Sequence, residues 1–315
     1  MIQTKTIDGV LLRDMVVTGA ALLEKNREAV DALNVFPVPD GDTGTNMSLT
    51  ISAAAAELKK KQCTTVGEAA QTAASALLRG ARGNSGVILS LLFRGIAKSL
   101  KDRETIDGRD LAIALDFGVA AAYKAVMKPA EGTILTVSRL AAARAADAAR
   151  ATPNDPEAVL EAAIAEGQLA LENTINQNPV LKKAGVVDAG GKGFLVILQG
   201  MLDSMRGLPL PEESGDHAKP EQKTDYAAIA AEEITFTFDT VFIVRKTTRK
   251  SLEAFQAYLN SIGDSLVIGE DDESFKVHVH TNIPGEALTE SQKYGTLELA
   301  KIENMQMQLS LIHIS

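Results

Sequence analysis

The chain has 315 residues, a formal net charge of −9 and a sequence pI of about 5.1. Its 45% hydrophobic and 23% charged residues can form a packed core, which excludes an intrinsically disordered protein. The acidic pI disfavours non-specific nucleic-acid binding, which needs a basic surface. The single Cys63 excludes an internal disulfide framework and suggests a reducing compartment. Because the sequence has no signal-peptide pattern and no apolar run approaching about 18 residues, we expect a cytoplasmic protein with no membrane span.

The first two thirds of the chain has a helical pattern. Apolar residues recur at three- and four-residue spacing from Leu12 to Leu33 behind Asp8, which predicts a first helix capped by that aspartate. Pro37 and Pro39 break this helix. The remaining pattern predicts helices over residues 45–61, 66–78, 85–100, 107–127, 133–151, 155–174 and 190–204. About eight helices with short connections are typical of a helical bundle or barrel.

The pattern changes after residue 207. Residues 208–223 are rich in proline and acidic residues, which predicts an exposed linker, although a long loop within one domain is an alternative. The following segment alternates with period two and predicts strands near 234–244, 265–268, 275–281 and 297–302, with helices over 251–262 and 285–293. This β-α-β-β-α-β order is the ferredoxin-like arrangement. The predicted division is a helical domain over 1–207, a linker over 208–230, a smaller α+β domain over 231–308 and an atypical tail over 309–315.

The segment 34–47 carries the strongest chemical signal. Asp40 and Asp42 flank Gly41 just before a predicted helix, and paired carboxylates suit a hard cation such as Mg²⁺. Glycines let the backbone approach a ligand closely, and backbone N–H groups at a helix start favour phosphate. The alternative is a Pro-Asp-Gly turn followed by an Asp or Thr helix cap.

Three further glycine-containing segments precede predicted helices. Residues 79–86 combine three glycines with two arginines, which fits a backbone cradle for phosphate or a plain link between helices. The segments 129–135 and 185–193 are most simply a turn and a glycine-rich helix start, where Asp188 caps the helix or holds a ligand.

Taken in order along the chain, the segments 34–47, 80–86, 131–135 and 187–193 resemble the nucleotide-binding L subunit of dihydroxyacetone kinases. They are more closely similar to the N-terminal domain of the FakA (YloV-like) family, the ATP-binding component of bacterial fatty acid kinases. Further similar segments up to residue 305 extend the resemblance over about residues 5–308. It implies a multidomain protein in which an all-α antiparallel helical barrel holds ATP at one rim and a smaller α+β domain follows.

The resemblance also implies roles for individual residues. Asp40 and Asp42 would ligate the Mg²⁺ bound to ATP, with Asn34 near the place of a third family aspartate. Arg82 is a candidate for neutralising the transferring charge, with a structural ion pair equally open. The cofactor-binding residues near the phosphates would be Thr43, Gly44, Thr45, Asn46, Asn84, Ser85 and Gly86. The adenine end and the closing loop would be formed by Gly132, Thr133, Leu135, Asp188 and Gly190.

Two histidines stand out in the second domain. His278 and His280 are two residues apart on a predicted strand, so both lie on one face and can bind Zn²⁺ if a third ligand approaches. The resemblance implies a cysteine as that ligand on the first strand, where this chain has Asp239. Asp239 replaces the thiolate by a carboxylate in this interpretation. The alternative is a pair of surface histidines on an edge strand.

The activity that the resemblance implies is phosphoryl transfer from ATP to a fatty acid carboxylate, giving an acyl phosphate. A separate fatty-acid-binding carrier of the FakB (DegV-like) type would present the acid, and a homodimer is expected at the family level. The resemblance implies a third domain in the family, similar to fatty-acid-binding DegV-like proteins, and residues 309–315 do not resemble the family sequence. The alternatives are the nucleotide subunit of a dihydroxyacetone-type kinase and a non-catalytic ATP-binding scaffold fragment.

Overall fold

The computed structural model describes residues 6–36, 39–210 and 235–307, which divide into two compact units. The first unit has the described residues before 37 together with 41–123 and 130–210, and the second has 39–40, 124–129 and 235–307. Up to residue 210 the described ranges contain ten helices: α1 (Gly9–Lys25), α2 (Arg27–Asp31), α3 (Thr43–Lys60), α4 (Val66–Gly80), α5 (Gly83–Ser99), α6 (Gly108–Ala125), α7 (Ile134–Ala151), α8 (Pro156–Gln177), α9 (Pro179–Ala184) and α10 (Ala189–Met205).

Side-chain caps begin most of the long helices. The Asp8 carboxylate accepts a hydrogen bond from the Leu11 backbone N–H at 2.7 Å, which confirms the predicted cap of α1. Thr65 and Glu68 form a reciprocal capping box at the start of α4. These local bonds satisfy donors that a helix start leaves unpaired, and they explain why helix starts could be predicted within a few residues.

The predicted first helix is interrupted, contrary to the apolar spacing that continues to residue 33. α1 ends at Lys25, and a separate short helix α2 follows. The Asn26 side-chain amide donates to the Leu22 carbonyl at 2.8 Å. This bond satisfies a terminal carbonyl of α1 and competes with helix continuation.

The first and last helices of this unit meet. α1 packs along α10, and a Cβ placed on Gly200 would lie 2.7 Å from the Cα of Gly19. Only backbone without a side chain allows this approach. The helical array therefore returns to its beginning, as a closed helical barrel requires.

Over its described residues, the second unit contains a four-stranded sheet and two helices. In chain order its elements are β1 (Phe238–Lys246), α11 (Glu253–Ile262), β2 (Gly263–Glu270), β3 (Ser274–Thr281), α12 (Pro284–Ser291) and β4 (Gly295–Asn304). The strand order is β2-β3-β1-β4, and each neighbouring pair is antiparallel. The predicted β-α-β-β-α-β arrangement is confirmed, and so is the layout of a helical domain followed by a smaller α+β domain.

An aromatic cluster forms the core of the second unit. Phe255 of α11 is fully buried, and its ring centroid lies 5.7 Å from that of Phe275 and 5.1 Å from that of Tyr294. Phe242 completes the cluster from β1. Because β1 buries Thr240, Phe242 and Val244, its even-numbered residues face this core, in phase with the predicted alternation.

Other sequence predictions fall at the edges of the described ranges. Residues 208–210 follow α10 without regular structure, whereas residues 211–230 of the predicted linker and the predicted tail lie outside the described residues. The domain boundaries therefore stay predictions. None of the described helices has the length and hydropathy that a membrane span needs.

Candidate functional site

The acidic segment leads into α3. Gly41 has a φ of +67°, and Asp42 occupies the N-cap position of α3. The Asp42 side chain makes no capping hydrogen bond, although its backbone carbonyl accepts the Asn46 N–H at 2.8 Å. Asp40 is exposed and belongs to the second unit. The simple helix-cap interpretation therefore does not account for the Asp42 carboxylate.

A carboxylate that the sequence did not single out holds the first turn of α3. Asp31, at the end of α2, accepts hydrogen bonds from the Thr45 backbone N–H at 2.9 Å and the Thr45 hydroxyl at 2.8 Å. Both donors of Thr45 are therefore used within the protein. Asn34 is buried nearby in sequence, and its backbone N–H donates to the Asp31 carbonyl at 3.0 Å. Thr43 is also buried at the start of α3.

The glycine-rich segment lies against α3. The Arg82 backbone N–H donates to the Thr50 hydroxyl at 3.0 Å, and that hydroxyl donates to the Asn46 carbonyl at 2.6 Å. Gly83 begins α5 with a φ of +55°, and a Cβ there would lie 2.5 Å from the Asn46 amide nitrogen. A side chain at residue 83 would therefore strain the backbone and displace the Asn46 amide, and the starts of α3 and α5 are adjacent.

Asn84 in the first turn of α5 carries an unsatisfied atom. Its side-chain oxygen is buried and has no hydrogen-bond partner among the described residues. Leaving such an acceptor unpaired costs about 1–3 kcal/mol, so a donor or a cation from a ligand would stabilise it. Arg82 is exposed at the N-cap of α5, and no ion pair involves it within the described ranges. Ser85 and Gly86 follow in the same turn.

One carboxylate joins the starts of α7 and α10. Asp188 caps α10 by accepting the Gly191 N–H at 2.7 Å, and it also accepts the backbone N–H of Ile134, the first residue of α7. Thr133 caps α7, and its hydroxyl donates to the Ala130 carbonyl at 2.7 Å. Burial raises the pKa of Asp188 to about 6, against the opposing effect of the two hydrogen bonds.

The raised pKa of Asp188 predicts a pH-dependent stability. Because the pKa in the folded chain exceeds the ordinary value of 3.8, folding favours the protonated acid, and this stabilisation is lost as the pH rises through about 6. Between pH 8 and pH 5 we expect the native chain to gain roughly 1.4 kcal/mol of unfolding free energy relative to Asp188→Asn, which cannot titrate. Urea denaturation followed by circular dichroism at both pH values measures the difference. Equal pH dependence of the two chains would contradict the assignment.

The four helix starts lie at one end of the first unit. A Cβ on Gly193 would lie 2.7 Å from the sulfur of Met47, and these are the fifth residues of α10 and α3. This contact links the α3–α5 pair to the α7–α10 pair. The structure thus brings together the predicted residues Asp42, Thr43, Gly44, Thr45, Asn46, Arg82, Asn84, Ser85, Gly86, Gly132, Thr133, Leu135, Asp188 and Gly190. The positive ends of the four helix dipoles favour a polyphosphate there.

The second unit holds the predicted histidine pair. His278 and His280 are both buried on β3, with their Nε2 atoms 3.2 Å apart. Asp239 joins them, because ligand atoms of these three residues lie within 4.8 Å of one another. The alternative of two surface histidines on an edge strand is wrong, since β3 is an inner strand and both side chains are buried.

Each histidine has a carboxylate at its other ring nitrogen. The Nδ1 atom of His278 lies 3.4 Å from an Asp239 oxygen, and that of His280 lies 3.4 Å from an Asp264 oxygen. Both atoms of the Asp239–His278 pair are buried without a hydrogen-bond partner among the described residues. Burial lowers the pKa of His278 to about 4, so this ring is neutral at pH 7. Two Zn²⁺-bound nitrogens at about 2.0–2.1 Å would be about 3.3 Å apart, so the spacing of the two Nε2 atoms fits the ion.

Both units match models of known protein families. A model of the DAK2 domain matches residues 37–203, and a model of the FakA-like middle domain of fatty acid kinase matches residues 235–312. The first match covers more than half of the sequence, so the chain belongs to the DAK2 domain family. The family resemblance predicted from the motifs is confirmed.

The chain is also similar to individual proteins. The chain is 43% identical over 317 residues to protein YloV of Bacillus subtilis, and 43% identical over 309 residues to an uncharacterized protein of Staphylococcus haemolyticus. Each alignment covers 96% of this chain and 56% of the relative, so the chain spans little more than half the length of these proteins. The crystal structure of the dihydroxyacetone kinase of C. freundii matches with a TM-score of 0.46 and 22% identity, over 62% of this chain and 34% of that chain.

Proposed function

We propose that the chain is the ATP-binding component of a kinase that transfers the γ-phosphoryl group of ATP to a fatty acid carboxylate. A separate carrier protein of the FakB (DegV-like) type presents the fatty acid, and the product is an acyl phosphate. The observation that carries the proposal is the convergence of four helix starts next to a segment with two closely spaced carboxylates. The match to a FakA-like middle domain favours a fatty acid over dihydroxyacetone as acceptor.

The residues present fit Mg²⁺ and ATP. Asp40, Asp42 and Asn34 offer the oxygen donors that Mg²⁺ prefers. The buried Asn84 oxygen, which has no hydrogen-bond partner among the described residues, can accept a hydrogen bond from the ligand or contact a cation. The ion would neutralise phosphate charge when bound with ATP. Thr45 donates both its backbone N–H and its hydroxyl to Asp31, so its hydroxyl is not available to donate to a phosphate. Its role at the phosphate end is to hold the first turn of α3 in place.

The chemistry needs positioning and charge stabilisation. A fatty acid carboxylate is already ionised near neutral pH, so no general base is needed. One carboxylate oxygen bonds to the γ-phosphorus while the bond from that phosphorus to the bridging oxygen breaks, and ADP leaves with the electron pair. The starts of α3 and α5 hold the phosphate chain at the positive ends of their dipoles, and the exposed Arg82 neutralises charge on the transferred group. Gly132, Thr133 and Leu135 border the adenine end, with Asp188 and Gly190 in the closing loop.

The decisive experiment combines the chain, Mg-ATP and a carrier loaded with fatty acid. We expect ADP release together with an acyl phosphate that hydroxylamine traps as a hydroxamate, and neither product without the loaded carrier. Transfer to dihydroxyacetone on its own carrier protein instead would identify a dihydroxyacetone-type kinase. ATP binding without transfer to either acceptor would identify a non-catalytic scaffold. Sedimentation of the same sample tests the proposed homodimer.

A further inference from the structure

A compact polar network lies at the start of α7 and has no assigned role. Its hub is the carboxylate of Glu131, just before Gly132. One Glu131 oxygen accepts the Thr136 hydroxyl at 2.7 Å and the Arg139 guanidinium at 2.9 Å. The other oxygen accepts the Tyr123 hydroxyl at 3.3 Å, and Arg139 donates to that same hydroxyl at 3.1 Å. Three side chains therefore converge on one carboxylate beside the proposed nucleotide site.

The network reaches the backbone of the loop through a buried hydroxyl. Thr136 is fully buried. Its hydroxyl oxygen accepts the Gly132 backbone N–H at 2.9 Å, and the same hydroxyl donates its hydrogen bond to Glu131. The Thr136 hydrogen bond, followed by the hydrogen bond and charge of Arg139, lowers the pKa of Glu131, so the hub is ionised at neutral pH. A charged acceptor strengthens the Thr136 bond and thereby fixes the orientation of the hydroxyl.

The loop that this hydroxyl holds has little freedom. Gly132 has a φ of +73°, and a Cβ there would lie 3.0 Å from the Thr174 carbonyl at the end of α8. On the other side of the loop, the Thr133 hydroxyl is bonded to Ala130. The Gly132–Thr133 peptide is therefore fixed by α8 on one side and by the Glu131–Thr136 relay on the other.

Global stability does not explain the network. The Glu131 and Arg139 side chains are 51% and 44% exposed, and exposed ion pairs contribute little to folding. The buried hydrogen bond of the network is the one from the Gly132 backbone N–H to the Thr136 hydroxyl, and it depends on Glu131 because Glu131 orients that hydroxyl. The local geometry of that loop is thus what its loss would change.

We propose that Glu131 is a positioning residue, which acts through Thr136 to fix the Gly132–Thr133 backbone where the nucleoside end of ATP binds. This inference rests on the proposed function, and it adds a specific role for a side chain that does not itself touch the nucleotide. It concerns the base and ribose end only, since the phosphate end is built from α3 and α5.

The test compares Mg-ATP with Mg-tripolyphosphate, which has no base or ribose, by calorimetry on the full chain. For Glu131→Ala we expect about tenfold weaker ATP binding, the size of one lost charge-assisted hydrogen bond, and unchanged tripolyphosphate binding. Glu131→Gln keeps an acceptor for Thr136 and should retain ATP affinity within about threefold. The thermal midpoint of each variant should move by less than about 3 °C.

A matched control removes another exposed ion pair of α7. Asp147→Ala deletes the partner of Arg150 and should leave both affinities unchanged. Equal losses for ATP and tripolyphosphate in Glu131→Ala, or no loss for either, would overturn the positioning role while leaving the proposed function intact. A native chain that is folded but binds no ATP would overturn the proposed function and this inference together.

Discussion

Replacing Asp40 and Asp42 together with alanine is expected to abolish the Mg²⁺-dependent part of ATP binding. Carboxylates are preferred ligands of this ion, and the Asp42 side chain makes no capping hydrogen bond to α3. We expect affinity for Mg-ATP to fall by at least about 100-fold, equivalent to about 2.7 kcal/mol. Without Mg²⁺ the effect should reverse in sign, because two negative charges near a polyphosphate repel it.

This reversal separates ion binding from a general loss of structure. Calorimetric titration of the native chain and the double variant with ATP, with and without Mg²⁺, measures the change in affinity under both conditions. Asp116→Ala combined with Asp147→Ala removes the same charge from exposed positions on α6 and α7 and should leave both titrations unchanged. A double variant at 40 and 42 that binds Mg-ATP like the native chain would remove these carboxylates from the proposed site.

The extent to which the sequence predicts this fold depends on how local each determinant is. Helix starts follow from caps within three or four residues, as at Asp8 and Thr65, so their positions could be read directly. The short helix α9 was missed because six residues carry too little periodicity, whereas the residues of α2 were predicted as the end of the first helix. The break at Asn26 depends on one side-chain bond to Leu22 that the apolar spacing conceals.

The candidate site shows the same division. The motif residues before α3, α5, α7 and α10 were recognisable because glycines and polar residues cluster before apolar runs. Asp31 was not singled out, since its partner becomes a neighbour only after the chain folds: Thr45 lies 14 residues beyond Asp31. Glu131 belongs to a segment that was interpreted most simply as a turn, and its bonds to Thr136 and Arg139 were not predicted. Asp264 reaches His280 across two paired strands, and the irregular register after Asp264 hides this from simple alternation.

Zinc binding in the second unit should depend on His278 and His280. With their Nε2 atoms 3.2 Å apart and His278 neutral at pH 7, the rings need little rearrangement to share one ion. We expect Zn²⁺ affinity, measured by competition with a fluorescent chelator, to fall by more than about 100-fold when both are alanine, because two of the proposed ligands are lost. Asp272→Asn, in the exposed β2–β3 connection, is the control and should bind like the native chain.

Substitution of the carboxylates tells direct ligands from orienting groups. Asp264 lies at Nδ1 of His280, the ring position opposite the paired Nε2 atoms, so Asp264→Asn should weaken Zn²⁺ binding by about 10- to 100-fold, as loss of an orienting carboxylate does.

Asp239 was predicted as the third ligand, and Asp239→Cys should then tighten binding, because a thiolate is a softer donor suited to Zn²⁺. If the cysteine variant binds more weakly instead, Asp239 acts at Nδ1 of His278 as Asp264 does for His280. The ion then needs ligands other than these carboxylates to complete its shell.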